Sequence, residues 1–244
     1  VLAVGQAERD IARMEGLSRF GLVLSFIGPP PADSPKELQI KAGDTIVALG
    51  DSITESGGYL RNIDTVFARQ YPALKISKVI NKGIPGHKAE DLARRFGRDV
   101  VQLNPAFVTI NVGINDVWHR LAQPPNENVL AAYKENVARM VDAAQEAGIK
   151  VILLAPTLIR EDPNTEGNKR LPKYVAVLKE IAAEKKCQLV DLHGMFLAAL
   201  KKKSADQQLT GDGVHMNALG NAIMAAGVLR ALGVADEKIT ATGL

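Results

Sequence analysis

Short apolar runs alternate along this chain with longer stretches in which apolar residues recur at helical spacing. The runs have the length of strands, and they end in turn or polar residues, which is typical of buried parallel strands. Because a helical stretch separates each strand from the next, the pattern predicts an α/β fold with a five-stranded parallel sheet covered on both faces. The predicted strands span residues 45–50, 76–80, 106–112, 150–155 and 188–192.

The predicted helices fill the intervals between these strands. A polar loop is predicted at residues 160–169, and the next helix is predicted to begin near Pro172, because proline is tolerated in the first turn of a helix. The remaining helical patterns cover residues 60–68, a stretch through Leu92 and Phe96, and residues 129–147, 194–202 and 217–231.

The first 43 residues do not follow this alternation. Residues 7–18 have a weak helical pattern, and the proline-rich stretch at 28–35 interrupts regular structure. The apolar run at 20–27 has the length of a signal-peptide core, but it begins far inside the chain and lacks a clean cleavage site. We therefore predict an N-terminal extension of unassigned role at residues 1–43, packed on one domain formed by residues 44–244.

Composition excludes several classes of protein. Lys and Arg exceed Asp and Glu by only 30 to 27, so the net charge of +3 does not indicate a nucleic-acid partner. Cys187 is the single cysteine, which excludes an intramolecular disulfide and a cysteine-rich metal site. No apolar run approaches the ~20 residues of a membrane span. We expect a soluble protein of bacterial type, cytoplasmic or secreted, whose oligomeric state, a homodimer included, is left open.

Three strand ends carry groups that can stabilise a negative charge. Ligands of parallel sheets bind at the carboxyl ends of the strands, where Ser52, Gly83 and Asn115 stand in this chain. A glycine allows a backbone N–H to approach a substrate closely. The N–H groups of Ser52 and Gly83 and the side-chain amide of Asn115 are therefore predicted to form an oxyanion hole, each donor contributing about 3 to 4 kcal/mol.

A nucleophile and its base complete this arrangement. Acyl transfer by a serine requires a histidine to take the hydroxyl proton and a carboxylate to orient that histidine. Asp212 and His215 are three residues apart, so one turn of chain brings the carboxylate against the imidazole. Gly-Asp-Ser is also ordinary turn composition, but together with these residues Ser52 is predicted to be the nucleophile, His215 the base and Asp212 its orienting group.

These motifs resemble those of the SGNH or GDSL hydrolases, whose four name-giving positions occur here in the same order. The resemblance covers about residues 44–232, and Ile53 stands where the family's short name has leucine. It implies a flavodoxin-like three-layer α/β/α sandwich, no cofactor, and hydrolysis of carboxylic esters through an acyl-serine intermediate. The matching motifs are Gly50-Asp51-Ser52, Asn81-Lys82-Gly83, Gly113-Ile114-Asn115-Asp116 and Asp212-Gly213-Val214-His215.

Other polar residues near the motifs are assigned lesser roles. Asp51 is predicted to cap the helix that follows it, Asn81 to hold the oxyanion loop, and Asp116 to brace the site. His87, Trp118 and His119 are candidates for the substrate pocket. The histidines lack the spacing of metal ligands, so no metal is predicted.

The resemblance favours a short-chain esterase that removes acetyl groups from carbohydrates, with a small-molecule or saccharide ester as its substrate. A lysophospholipase or thioesterase of longer acyl chains is the alternative within the same class. A non-catalytic binding module on the same scaffold is the alternative from another class, although the complete triad argues against it. A dinucleotide-binding protein is excluded, because the glycine-rich turn of that fold does not follow the first strand.

Overall fold

The structure is a computed structural model that describes residues 18–244. Its five strands are β1 (Ile46–Gly50), β2 (Ile80–Gly83), β3 (Phe107–Asn111), β4 (Lys150–Leu154) and β5 (Gln188–Val190). They form one sheet in the order β2-β1-β3-β4-β5, and every neighbouring pair is parallel. This is the strand order of flavodoxin-like folds, so the predicted fold class is confirmed.

Helices form a layer on each side of the sheet. The Ala89–Asp99, Glu127–Glu146 and Glu166–Lys185 helices pack side by side in one layer. The other layer consists of the Arg19–Ile27, Gly58–Gln70, Leu192–Lys202 and Ala218–Ala231 helices. Shorter elements are the helices Ser52–Glu55, Ile114–Trp118 and Asp236–Thr240 and the 3₁₀ turns Pro72–Leu74 and Val101–Leu103.

Two predicted boundaries were wrong by four residues or more. The second strand was predicted at residues 76–80 but begins at Ile80, because Val79 N–H donates to the Asp64 carboxylate at 2.9 Å instead of to a neighbouring strand. The helix predicted to begin near Pro172 begins at Glu166, so the proline lies inside it. Its true start signal is Thr165, whose hydroxyl accepts from a backbone N–H of the first turn.

The N-terminal part of the described chain packs on a helical layer. In the Arg19–Ile27 helix, Phe20, Val23 and Phe26 are buried against the Leu192–Lys202 and Ala218–Ala231 helices. Burying each such side chain stabilises the fold by roughly 1.5 to 3 kcal/mol. The weak helix predicted at residues 7–18 lies outside the described residues except for its last position, and the division into extension and domain stays a prediction.

Candidate active site

The first strand delivers Ser52 to the carboxyl edge of the sheet. All five residues of β1 are buried, and Asp51 then caps the Ser52–Glu55 helix by accepting the Ile53 N–H at 3.0 Å. Position 50 requires a glycine, since a Cβ atom there would collide with the side chain of Thr54. Ser52 is therefore the first residue of a helix, where its N–H has no intrahelical acceptor.

The structure brings the predicted nucleophile, base and orienting carboxylate together. His215 Nε2 lies 2.9 Å from Ser52 Oγ, and His215 Nδ1 lies 2.6 Å from Asp212 Oδ2. Hydrogen bonds from the imidazole and from the backbone N–H groups of His215 and Val214 lower the pKa of Asp212 to about 2. Because Asp212 is ionised, Nδ1 carries the proton, and Nε2 presents its lone pair to the serine hydroxyl.

Backbone hydrogen bonds hold the loop that carries His215. Gly211 N–H donates to His215 O at 2.8 Å, which closes the loop, and Arg160 N–H donates to Gly213 O at 2.6 Å. Asn217 then caps the Ala218–Ala231 helix through its side-chain oxygen. The histidine is thus held between a closed loop and the start of a long buried helix.

Two of the three predicted oxyanion donors already have acceptors in the free protein. Gly83 N–H donates to Asn81 Oδ1 at 2.8 Å, and Asn115 Nδ2 donates to His87 O at 3.1 Å. An amide group has two N–H donors, so one donor of Asn115 remains for a ligand. At Gly83 an oxyanion would share the N–H with Asn81 or displace the asparagine oxygen.

Asn81 links the end of β2 to the turn that carries Ser52. Its Nδ2 donates to Thr54 O at 2.8 Å and to Glu55 O at 3.1 Å. The two segments are so close that a Cβ atom on Gly83 would collide with the backbone nitrogen of Glu55. Its role of holding the oxyanion loop stays a prediction.

Two buried carboxyl groups flank the site. Burial raises the pKa of Asp51 to about 6, against the opposing effects of the Ile53 N–H and of His215. Burial also raises the pKa of Asp116 to about 7, and both carboxylate oxygens of Asp116 face the Ala89 N–H, at 3.4 and 3.3 Å. Asp116 therefore connects the helix that carries Asn115 to the start of the Ala89–Asp99 helix.

We expect Asp116→Asn to stabilise the protein at pH 8 and to change its stability little at pH 4. The carboxyl group ionises near pH 3.8 in the unfolded chain but only near pH 7 in the folded one. Between these values the folded state holds more protons, so wild-type stability falls as the pH rises. Each pH unit of that window costs about 1.4 kcal/mol, which gives an expected gain on the order of 4 kcal/mol at pH 8.

The measurement is denaturant-induced unfolding of both proteins at pH 4, 6 and 8. The asparagine oxygen can still accept the Ala89 N–H, so the comparison isolates the ionisation. Asp33→Asn, in the exposed proline-rich connector, serves as the matched control. A difference between Asp116→Asn and wild type that is the same at all three pH values contradicts the prediction.

The predicted pocket residues lie on the Asn115 side of the site. His87 is half-buried and contacts Asn115 through its carbonyl oxygen. Trp118 and His119 are exposed at the end of the Ile114–Trp118 helix, and the His119 ring approaches Gly86 of the oxyanion loop. Their role in substrate binding stays a prediction.

Arg95 was not predicted as a site residue, yet its guanidinium contacts the ends of both β1 and β2. A signal for it exists in the sequence. Arg95 stands at helical spacing from Leu92 and Phe96 on the buried face of its helix, and an arginine on an apolar face must be paired with acceptors.

Residues 18–244 contain neither a group of metal ligands nor a helix that could span a membrane. Over that range, no three His, Cys, Asp or Glu side chains are grouped so that they could hold a metal ion. No helix among those residues has both the length and the apolar character that a membrane span requires. The expectation that the protein uses neither a metal nor another cofactor stays a prediction.

A family model and several known proteins match most of this chain in sequence. The family model described as the GDSL-like Lipase/Acylhydrolase family matches residues 48–223. An acetylxylan esterase from Geobacillus stearothermophilus is 29% identical, over 80% of this chain and 97% of that protein. The probable rhamnogalacturonan acetylesterase YesY from Bacillus subtilis is 26% identical, over 69% of this chain and 76% of that protein.

Solved structures of known proteins are also similar to this chain over most of its length. The crystal structure of the Geobacillus acetylxylan esterase superposes with a TM-score of 0.73 at 29% identity, covering 82% of this chain and 98% of that one. Catalytic mutants of that enzyme replace a serine, a histidine or an aspartate by alanine. LAE5, an α/β hydrolase from the metagenome of Lake Arreo in Spain, has a TM-score of 0.73 at 27% identity, covering 81% of this chain and 98% of that one. The present chain belongs to the GDSL-like lipase/acylhydrolase family, and it is a carboxylic ester hydrolase with the SGNH fold.

Proposed function

We propose that this protein is a serine esterase that removes acetyl and other short acyl groups from carbohydrates. The observation that carries the proposal is the hydrogen-bonded chain from Ser52 Oγ through His215 to Asp212, with distances of 2.9 and 2.6 Å. This geometry suits proton transfer from the serine hydroxyl to the imidazole. The named activities of the acetylxylan esterase and the probable rhamnogalacturonan acetylesterase support acetylated saccharides as substrates.

The first half-reaction transfers the acyl group to the enzyme. Ser52 Oγ attacks the ester carbonyl carbon while its proton passes to His215 Nε2. The carbonyl oxygen becomes an oxyanion that accepts hydrogen bonds from Ser52 N–H, Gly83 N–H and the free N–H of Asn115. When the tetrahedral intermediate collapses, the bond to the alcohol oxygen breaks, and the alcohol takes the proton from His215. Asp212 stabilises the imidazolium that exists between these steps.

The second half-reaction returns the enzyme to its initial state. A water molecule gives a proton to His215 Nε2 and attacks the acyl-serine carbonyl carbon. The same three donors stabilise the second oxyanion. The bond to Ser52 Oγ then breaks, the serine recovers its proton from His215, and the carboxylic acid leaves.

The surface around Ser52 suits a polar substrate. The side chains of His215 and Asp212 are 45% and 58% exposed, so the rim on their side is open to water. A long acyl chain would need buried apolar surface, since each methylene contributes about 0.8 kcal/mol only when it leaves water. Among the described residues, Leu103 and Trp118 are the only exposed large hydrophobic side chains, which supports a short acyl group and a hydrophilic alcohol.

Hydrolysis of p-nitrophenyl esters from acetate to palmitate tests this proposal. We expect kcat/KM to be highest for acetate and to fall as the chain lengthens, because methylenes that stay at the water-exposed rim of His215 and Asp212 add nothing to binding. Release of acetate from acetylated xylo-oligosaccharides is the second assay. Ser52→Ala protein, prepared in parallel, gives the background for every substrate.

Two other outcomes of these assays would indicate the two alternative functions. A preference for palmitate would replace the acetylesterase proposal by the lysophospholipase or thioesterase alternative. Absence of hydrolysis, together with failure of a fluorophosphonate to label Ser52, would indicate a binding module. Fluorophosphonate labelling requires only a reactive serine. It therefore distinguishes a protein whose Ser52 is unreactive from an esterase whose substrate was not among the esters assayed.

A further inference from the structure

Arg95 places a buried positive charge beside the oxyanion loop. Its side chain is 6% exposed and projects from the Ala89–Asp99 helix. A buried guanidinium is costly unless acceptors satisfy its five N–H donors. Arg95 donates hydrogen bonds to four acceptors, which belong to Gly50, Lys82, His87 and Asp99.

Two of these acceptors are the carbonyl groups that precede the site residues on β1 and β2. Arg95 Nη2 donates to Gly50 O and Nη1 donates to Lys82 O, each at 2.9 Å. The chain continues from Gly50 through Asp51 to the nucleophile, and Lys82 directly precedes Gly83. The guanidinium therefore fixes the distance between the strand end that carries Ser52 and the strand end that carries the Gly83 N–H.

The third acceptor connects Arg95 to Asn115. Arg95 Nε donates to His87 Nδ1 at 3.2 Å, which holds the imidazole in the tautomer with its proton on Nε2. The carbonyl oxygen of His87 accepts one N–H of Asn115 at 3.1 Å. Because the side-chain amide is planar, this bond sets the direction of the second N–H, which is the one proposed to reach the oxyanion.

Asp99, four residues after Arg95 on the same helix, is the fourth acceptor of the guanidinium. Arg95 Nη1 donates to Asp99 Oδ2 at 2.8 Å. Arg98 binds the same carboxylate at 2.8 and 3.1 Å, but its side chain is 68% exposed. Arg98 has the same charge and shares the same carboxylate as Arg95, and none of its side-chain hydrogen bonds reaches the strand ends, so it offers a matched control.

We propose that Arg95 is the positioning residue of the oxyanion hole, acting through Gly50 O, Lys82 O and His87 without touching the substrate. The proposal rests on the proposed esterase function. A lysine keeps the charge but cannot span two carbonyl groups and an imidazole, because its ammonium group lacks the planar fork of a guanidinium. Misplaced donors weaken the transition state more than the bound substrate, so kcat is affected and KM is not.

The test is a double-mutant cycle between Arg95→Lys and Asn115→Ala, with p-nitrophenyl acetate as the substrate. We expect Arg95→Lys to lower kcat roughly 10- to 100-fold and to change KM less than about threefold. Asn115→Ala alone is expected to lower kcat about 100- to 1000-fold. The double variant is expected to lose much less than the product of the two effects, since both act on the same donor.

Arg98→Lys is measured beside these variants and is expected to keep kcat within about twofold of wild type, because exposed ion pairs contribute little. Equal kcat values for Arg95→Lys and Arg98→Lys overturn the proposal, as does a double variant whose losses multiply. If Arg95→Lys does not unfold cooperatively, Arg95→Gln replaces it. Failure of both to fold overturns the proposal in favour of a purely structural role.

Failure of the esterase function itself gives a different result. If wild type and Arg98→Lys lack hydrolysis that depends on Ser52, the proposed function is wrong and the positioning role falls with it. If wild type is active and Arg95→Lys is equally active, only the positioning role is wrong.

Discussion

The Ser52→Ala variant is expected to lose activity by about a factor of 10⁶ in kcat. Without the hydroxyl no acyl-enzyme forms, and the imidazole of His215 has no proton to accept from the protein. The remaining donors at Gly83 and Asn115 can still polarise the ester carbonyl for attack by water, which leaves a small residual rate. Steady-state hydrolysis of p-nitrophenyl acetate and the mass of the fluorophosphonate-treated protein measure the two consequences.

Ser56→Ala is the matched control for this experiment. Ser56 lies on the same turn of chain, and its hydroxyl donates to Ile53 O at 2.9 Å, so its removal perturbs the turn without removing the proposed nucleophile. We expect it to retain kcat within about threefold, as surface substitutions usually cost little. Substantial hydrolysis by Ser52→Ala, or covalent labelling at another residue, would show that the nucleophile has been misassigned.

The second large effect is expected from Asp212→Asn, which should lower kcat by about 10⁴. The asparagine oxygen can still accept the backbone N–H groups of Val214 and His215, so the loop keeps its shape. Its amide group, however, donates to His215 Nδ1 and moves the imidazole proton to Nε2. In that tautomer Nε2 has no lone pair for the proton of Ser52.

The pH dependence of kcat/KM checks this explanation. In wild type the Asp212 carboxyl group has a pKa of about 2, so it stays ionised throughout an assay range of pH 4 to 9. Ionisation of Asp212 should therefore contribute nothing to the pH dependence of wild-type kcat/KM over that range. Asp206→Asn, an exposed carboxylate in the preceding loop, is the control. Retention of more than about a tenth of wild-type kcat by Asp212→Asn contradicts the assigned role.

The sheet and the Asp212–His215 pair could be predicted because each depends on local patterns. A buried parallel strand reads as a continuous apolar run, and the carboxyl ends of five such strands must share one edge of the sheet. Ser52 and Asn115 therefore fall near each other once the strands are identified. The proximity of Asp212 and His215 follows from their spacing of three residues.

Other features depend on partners that are distant along the chain. Residues 76–80 were predicted as a strand from Ile76, Val79 and Ile80, but the Val79 N–H donates to the Asp64 carboxylate of the Gly58–Gln70 helix and not to the sheet. The acceptors of Arg95 include Gly50 O, 45 residues away, and backbone carbonyls carry no sequence signature. The hydrogen bond from Gly83 N–H to Asn81, a partner only two residues away, was not predicted for a different reason: an asparagine in a turn has several donors and acceptors within reach.

The proposed proton relay joins two residues that are far apart along the chain. The hydrogen bond between Ser52 and His215 spans 163 residues, and nearly the whole sheet lies between them in sequence. A nascent chain that ends before residue 215 therefore contains Ser52 but not its base. Contacts of such long sequence separation are slow to form, so the recovery of esterase activity after dilution from denaturant would report the arrival of the last loop rather than the assembly of the strands.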